Sequence, residues 1–348
     1  MFHTNVRHLR RVSPPLASYL RVGHRDAALL GKLLEQGFAT GAGVIVDPSA
    51  AARTAELRGA AVENGVEVIL DTRSVELSTP GGFAQSTVAK LPWAGPEPHR
   101  PTTMNGTAGQ VIAEAIAETA IEQRVTGVLA PTHLLDDVTT WLDVDAELVG
   151  RLRGALDANR AGTTTMYYPL VAPLRLLHDE RSMKRIMATL ARLVAARQID
   201  GVFLRVQGFG TMKAGPRNLR TYISVARGLH DLGVPLVGER TGCIGVALAA
   251  FGAVGGVESS VTYGESYDAR RLMKEPDGKK GFVPPPRAYL SAAMLTLPIQ
   301  QARAVLSRRG FRRLACQRTC CSRDRDAVFS DPRRHFVITR AAELAAMS

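Results

Sequence analysis

Apolar residues along this chain gather in short, near-continuous runs, separated by longer stretches in which they recur every three or four positions. The runs read as strands buried on both faces, and the spaced stretches as helices packed against them. Strands are expected at 42–48 (AGVIVDP), 66–72, 126–135, 163–172, 201–210, 234–239, 257–266 and, more briefly, 287–291. Helices are expected at 49–65, 108–125, 148–162, 182–200, 219–233, 244–256 and about 297–310. Glycine stops the first of these at Gly65, and a Pro- and Gly-rich section from Ser78 to about Asn105 reads as loop.

Strands alternating with helices imply a parallel sheet covered by helices, the α/β class. Eight such units fit a (β/α)8 TIM-like barrel. A doubly wound open sheet is the competitor, but no Gly-x-Gly-x-x-Gly follows the first expected strand and no Gly-x4-Gly-Lys-Ser/Thr loop occurs. The expected organisation is an N-terminal extension over 1–40, a barrel over 41–300, and a small basic C-terminal lobe over 301–348 that carries a Cys/His zinc-binding site.

A barrel puts its chemistry at the C-terminal ends of its strands. Polar residues that follow apolar runs there are the candidates: Asp47, Asp71, His133, Tyr167 and Tyr168, Arg205 and Gln207, Glu239 and Arg240, then Glu258, Tyr263 and Glu265. Asp47 precedes a proline and suits a turn or cap. Arg205 and Gln207 alternate along one strand and so face the same way. Carboxylates converging on one pocket could divide the roles of acid, base and nucleophile.

The chain has 348 residues, 45% hydrophobic and 22% charged, which is ordinary for a globular protein. It contains no run of eighteen apolar residues and no apolar segment after the basic N-terminus, so neither a membrane span nor a signal peptide is expected, and the expected location is cytoplasmic. The formal charge of +12 is unevenly placed. Between Arg303 and Arg340 eleven arginines face three aspartates, which accounts for eight of the twelve excess charges. Such a window could attract a nucleic acid, or could be a solvated surface.

Three of the four cysteines lie at Cys316, Cys320 and Cys321, and His335 follows. Three thiolates and one imidazole would close a tetrahedral zinc site, which makes it structural. A redox pair is the second reading, although no Cys-x-x-Cys is present, and a trio of plain thiols is the third. Cys243 lies elsewhere and reads as a buried thiol.

A barrel with a late three-Cys, one-His site resembles the tRNA-guanine transglycosylase superfamily. "RVQGFG" (205–210) looks like that family's Val-Gln-Gly-Gly segment, "LDT" (70–72) is similar to the strand end where it keeps an Asp-Ser pair, and "GGFAQ" (81–85) echoes a later motif. The resemblance implies base exchange on tRNA or DNA, a deazaguanine replacing guanine. Asp71 would be the acid/base, Glu258 or Glu265 the nucleophile, and Gln207 and Gly208 would recognise the base. Arg205, Glu239, His133 and Tyr168 complete the expected substrate pocket, a small-molecule base is the second substrate, and the basic lobe would grip backbone phosphates. The chain departs from the family in its cysteine spacing and in lacking the late nucleophilic aspartate before a Pro-Thr-Arg-like turn. Two other readings stand beside this one: a barrel enzyme acting on a small anionic metabolite, and a non-catalytic nucleic-acid-binding subunit.

Overall fold

The computed structural model describes residues 17–23, 25–38, 41–210, 215–261, 266–274, 285–321 and 326–347. Eight parallel strands close into a barrel in sequence order, the eighth pairing with the first. The first half runs β1 (Ala17–Arg21), α1 (Ala27–Glu35), β2 (Gly43–Val46), α2 (Ala55–Glu63), β3 (Glu67–Asp71), the short α3 (Ser74–Leu77) and α4 (Pro80–Phe83), α5 (Thr107–Glu122) and β4 (Gly127–Leu129). The second half runs α6 (Leu142–Ala158), β5 (Thr165–Pro173), α7 (Leu174–His178), α8 (Glu180–Ala195), β6 (Gly201–Gln207), α9 (Pro216–His230), β7 (Leu236–Glu239), α10 (Cys243–Ala250) and β8 (Gly256–Ser260). The α/β barrel expected from the apolar runs is the fold.

Two ends of the expected strand count move. The first barrel strand is ASYLR at 17–21, inside the section read as an extension over 1–40. Its polar Ser18 and Arg21 break the apolar run that marks the other strands. The segment at 287–291 is not a barrel strand. It gives β9 (Arg287–Leu290), which forms an antiparallel pair with β10 (Leu295–Pro298) outside the barrel. This hairpin begins the C-terminal lobe, completed by α11 (Ile299–Ser307), α12 (Ala327–Ser330) and α13 (Pro332–Ala345).

The barrel interior is filled by one apolar layer: Tyr19, Ile45, Ile69, Leu129, Tyr167, Phe203 and Val237. Tyr19, Tyr167 and Phe203 meet edge to face, with ring centroids 5.1–6.3 Å apart. Space for these rings comes from glycine on the facing strands. A Cβ on Gly43 would lie 2.8 Å from the Tyr19 ring, and one on Gly201 would lie 2.9 Å from Tyr167. The Tyr167 hydroxyl donates to Glu67 at 2.8 Å. Outside the barrel, the opposite faces of the strands pack under the helices in one large core. Among the described residues no helix is long and apolar enough to cross a membrane.

Candidate functional site

Successive side chains on a strand alternate between faces, so the residue two positions beyond each interior one also points inward. Above the aromatic layer, toward the C-terminal ends, this rule brings charge together: Arg21 follows Tyr19, Asp71 follows Ile69, Arg205 follows Phe203 and Glu239 follows Val237. Glu258 joins them by register, opposite Tyr19 on β1 and Glu239 on β7.

Arg21 sits at the centre of this layer. Its three nitrogens each donate to a different carboxylate: Nη1 to Asp71, Nη2 to Glu239 Oε1 at 2.6 Å, and Nε to Glu258 Oε1 at 2.8 Å. Arg205 donates to the same Glu239 oxygen. Two backbone amides finish the set, Arg73 N–H on Asp71 (3.0 Å) and Arg240 N–H on Glu258 (3.0 Å). Both residues adopt the left-handed region, with φ of 55° and 56°. Such backbone is uncommon outside glycine and persists where the surroundings impose it.

Burial alone would raise the pKa of Asp71, but Arg21, Arg205 and Arg73 outweigh it and hold the carboxyl well below the usual range. Glu258 is likewise lowered, burial being overcome by Arg21 and Arg240. The carboxylates of Asp71, Glu258 and Glu239 overcome the burial of Arg21 and raise its pKa. All three therefore stay charged at neutral pH, in an environment where an unpaired charge would cost several kcal/mol. Glu239 Oε2 and Arg205 Nε are buried and have no hydrogen-bond partner among the described residues.

A cavity of about 360 Å³ opens over this layer. Arg21, Asp71, Arg205 and Arg240 line its wall, and Asp47, Ser49, Arg53, Arg73 and Glu76 continue it outward. Arg73 is tied to Asp47 and, at 3.2 Å, to Glu76. Arg53 makes no ion pair among the described residues. Five arginines face three acids here, so the lining carries net positive charge.

Of the residues singled out in the sequence, Asp47, Asp71, Arg205 and Arg240 line this cavity, while Glu239 and Glu258 are buried against Arg21. Gln207 and Gly208 lie one step further along β6, beside a second cavity that includes Asp268 and Arg270. Gly208 N–H donates there to the Tyr267 carbonyl at 2.9 Å. Glu265 and Tyr263 lie outside the described residues.

His133 and Tyr168 do not reach the mouth. Tyr168 points from β5 into the helical layer, the opposite face to Tyr167. His133 is fully buried, stacked on Trp141 at 3.8 Å, with Nδ1 2.6 Å from Asp145 on α6 and Nε2 3.4 Å from His99. Both of its ring nitrogens face protein partners. The sequence reading missed Arg21, Arg53 and Arg73. The usable signal for Arg21 was its place two residues after an aromatic in a short alternating stretch.

A second group lies in the C-terminal lobe. Cys316, Cys320, Cys321 and His335 bring their ligand atoms within 4.8 Å of one another and can hold a metal ion. Cys316 and Cys320 sulfurs are 3.7 Å apart, and His335 Nδ1 is 3.5 Å from Cys320 Sγ and 3.3 Å from Cys321 Sγ. The other imidazole nitrogen, Nε2, is 2.8 Å from the Tyr289 carbonyl, which turns Nδ1 toward the sulfurs. Burial, then the neighbouring sulfurs, raise the pKa values of Cys320 and Cys321.

No protein-family model matches this chain, and no curated protein matches it. Solved structures do share the barrel. A protein described as a phosphonomutase from Burkholderia cenocepacia is 19% identical, with a TM-score of 0.42, over 73% of this chain and 89% of that one. The Penicillium canescens endo-1,4-beta-xylanase XylE is 13% identical, with a TM-score of 0.46, over 73% and 84%. An HpcH/HpaI aldolase from Desulfitobacterium hafniense is 11% identical, with a TM-score of 0.37, over 70% and 85%. At these identities the likeness is one of fold. The resemblance to tRNA-guanine transglycosylases is withdrawn. No such protein is among the matches reported above, no family model supports the motifs at 70–72 and 205–210, and Glu258, cast as a nucleophile, has both oxygens engaged by Arg21 and Arg240.

Proposed function

We propose that this protein is a barrel enzyme acting on a small metabolite that carries a phosphate or carboxylate group, held at the mouth by arginine. The observation that carries this reading is the arginine-rich lining of a cavity of about 360 Å³ at the catalytic end of the barrel. Guanidinium forks suit planar or tetrahedral anions. In this reading Arg205, Arg240 and Arg53 receive the anion. Arg21, each of whose three nitrogens is bonded to a different carboxylate, holds those carboxylates in place.

Asp71 is the one carboxylate of the three around Arg21 that lines the cavity, and it takes the proton-transfer role. Its pKa is too low for an efficient base while Arg21, Arg205 and Arg73 hold it down. An incoming anion shares that positive field and moves the Asp71 pKa upward, so substrate binding itself prepares the base.

Calorimetric titration with inorganic phosphate tests the site. Arg205→Gln should weaken binding at least tenfold, whereas Asp71→Asn, which removes an opposing negative charge, should tighten it several-fold. Raising salt should weaken phosphate binding modestly. Duplex DNA or RNA binding with a steep salt dependence, alongside no response to phosphate or simple carboxylates, would overturn the reading in favour of a polyanion-binding protein.

For the C-terminal lobe we propose a structural zinc ion. Zn–S and Zn–N bonds of about 2.3 and 2.0 Å in a tetrahedron require S···S and S···N edges of about 3.8 and 3.5 Å. The Cys316–Cys320, Cys320–His335 and Cys321–His335 separations of 3.7, 3.5 and 3.3 Å are close to these edges. Four protein donors leave no open position for substrate, so zinc here would supply folding free energy.

A further inference from the structure

We propose that Arg333 is a positioning residue for the barrel mouth: it ties the helix that carries the metal-ligand histidine to the β1–α1 connection that walls the anion cavity. The proposal rests on the anion-site reading for its effect on binding. Its structural part stands on separate contacts.

The path is short and continuous. Arg333 lies on α13, two residues before His335. Its guanidinium Nη1 donates to the Arg25 carbonyl at 3.0 Å and to Asp26 Oδ1 at 3.2 Å. The other oxygen of Asp26, Oδ2, accepts the Gly23 N–H at 2.9 Å. Gly23 and Ala27 both line the cavity, as does Arg21 two residues earlier. The fit is close at Gly23, where a Cβ would stand 2.5 Å from Asp26 Oδ2. The next residue on α13 acts at the other end of α1: the Arg334 guanidinium lies over the Phe38 ring at 5.3 Å. Adjacent arginines of one helix therefore touch the chain just before α1 and just after it.

The capping pattern explains why this connection needs outside support. Asp26 occupies the N-cap position of α1, yet its side chain makes no capping hydrogen bond to the first turn. It is turned instead to Gly23 and Arg333, giving up a bond that stabilises most helix starts. A carboxylate that bridges a loop amide and a guanidinium from another lobe transmits the placement of that lobe to the loop.

Hydrogen exchange on the full-length, zinc-loaded protein tests this, with Gly23 and amides 25–34 as reporters. Arg333→Ala should speed their exchange at least tenfold and leave β3 protection unchanged. The zinc-to-protein ratio should stay at the wild-type value, and inorganic phosphate should bind several-fold more weakly. Arg333→Lys should restore part of both. Asp26→Asn, which keeps an acceptor for Gly23 but removes the charge facing Arg333, should reproduce the loosening if Arg333→Ala folds poorly. Exchange at these amides unchanged in both variants, or faster to the same extent throughout the barrel, overturns the proposal. If the wild type binds no phosphate while the reporters still loosen selectively, the anion reading fails and the positioning role stands.

Discussion

His99, His133 and Asp145 form a chain whose proton positions follow from its ends. The Trp93 carbonyl can only accept, so His99 Nε2 donates to it (2.9 Å) and His99 Nδ1 must accept from His133 Nε2. Asp145 Oδ1 lies 2.6 Å from His133 Nδ1, and the second Asp145 oxygen accepts the His133 backbone N–H at 3.0 Å. His99 therefore has no room for a second proton. Burial first, and the adjacent His133 second, depress its pKa to about 4 from a usual 6.5. The sign follows: between those values the unfolded chain binds a proton that the native state refuses. Stability is thus intact above pH 6.5 and falls as pH drops toward 4, by about 3 kcal/mol from this residue. Urea midpoints at pH 7 and pH 5 should draw apart in the wild type and draw closer in His99→Gln, which retains a donor for Trp93. Equal pH sensitivity in the two proteins would show that another group controls this window. Removing Asp145 is a harsher change, since it strips the partner from a buried histidine. Asp145→Ala should cost about 3–5 kcal/mol in denaturant unfolding.

At the scale of elements, the glycines of the barrel and those of its helices should respond oppositely to a methyl group. Gly43→Ala forces the Tyr19 ring to move within a filled interior and should destabilise by about 1–3 kcal/mol. Gly31, within α1, has nothing within 4 Å of its would-be Cβ, so Gly31→Ala should stabilise by about 0.5–1 kcal/mol. Thermal melts of the two variants moving in the same direction would show that the interior layer is less tightly filled than described. The same contrast explains what could be read in advance. Strands β2 to β8 announce themselves because both faces are buried and their apolar runs are nearly unbroken. β1 does not, since ASYLR spends its inward positions on a tyrosine and an arginine. Missing that strand also hid Arg21, the residue around which the mouth is organised. β9 misled for the complementary reason: Ala288, Tyr289 and Leu290 are as buried as a barrel strand, but against α13 and the lobe. Local pattern reports burial and cannot say which layer does the burying.

At the scale of the whole molecule, the two candidate centres differ in how far apart their parts lie along the chain. The metal group draws three ligands from six consecutive residues and a fourth from the helix that follows, so it was visible as a cluster. The mouth joins Arg21 to Glu258 across 237 positions, which only the closure of β8 against β1 brings about. The lobe is in turn fastened to the barrel by a buried arginine. Arg340 on α13 lies over the Tyr289 and Phe336 rings at 5.0 and 5.2 Å, and its Nη2 reaches Cys243 Sγ on α10 at 3.6 Å. The fourth cysteine thus belongs to that fastening and stands outside the metal group. This division makes a sharp test of the zinc reading. Elemental analysis of freshly purified, reduced protein should give about one zinc per chain, as a single closed four-ligand site requires. Cys320→Ser and His335→Ala should bring the ratio close to zero and lower the melting temperature, because a lost ligand removes folding free energy. Cys243→Ala should keep the full ratio. Zinc retained after Cys320→Ser, or lost with Cys243→Ala, would mean that the ion is held elsewhere and that the cluster at 316–335 is a set of packed thiols.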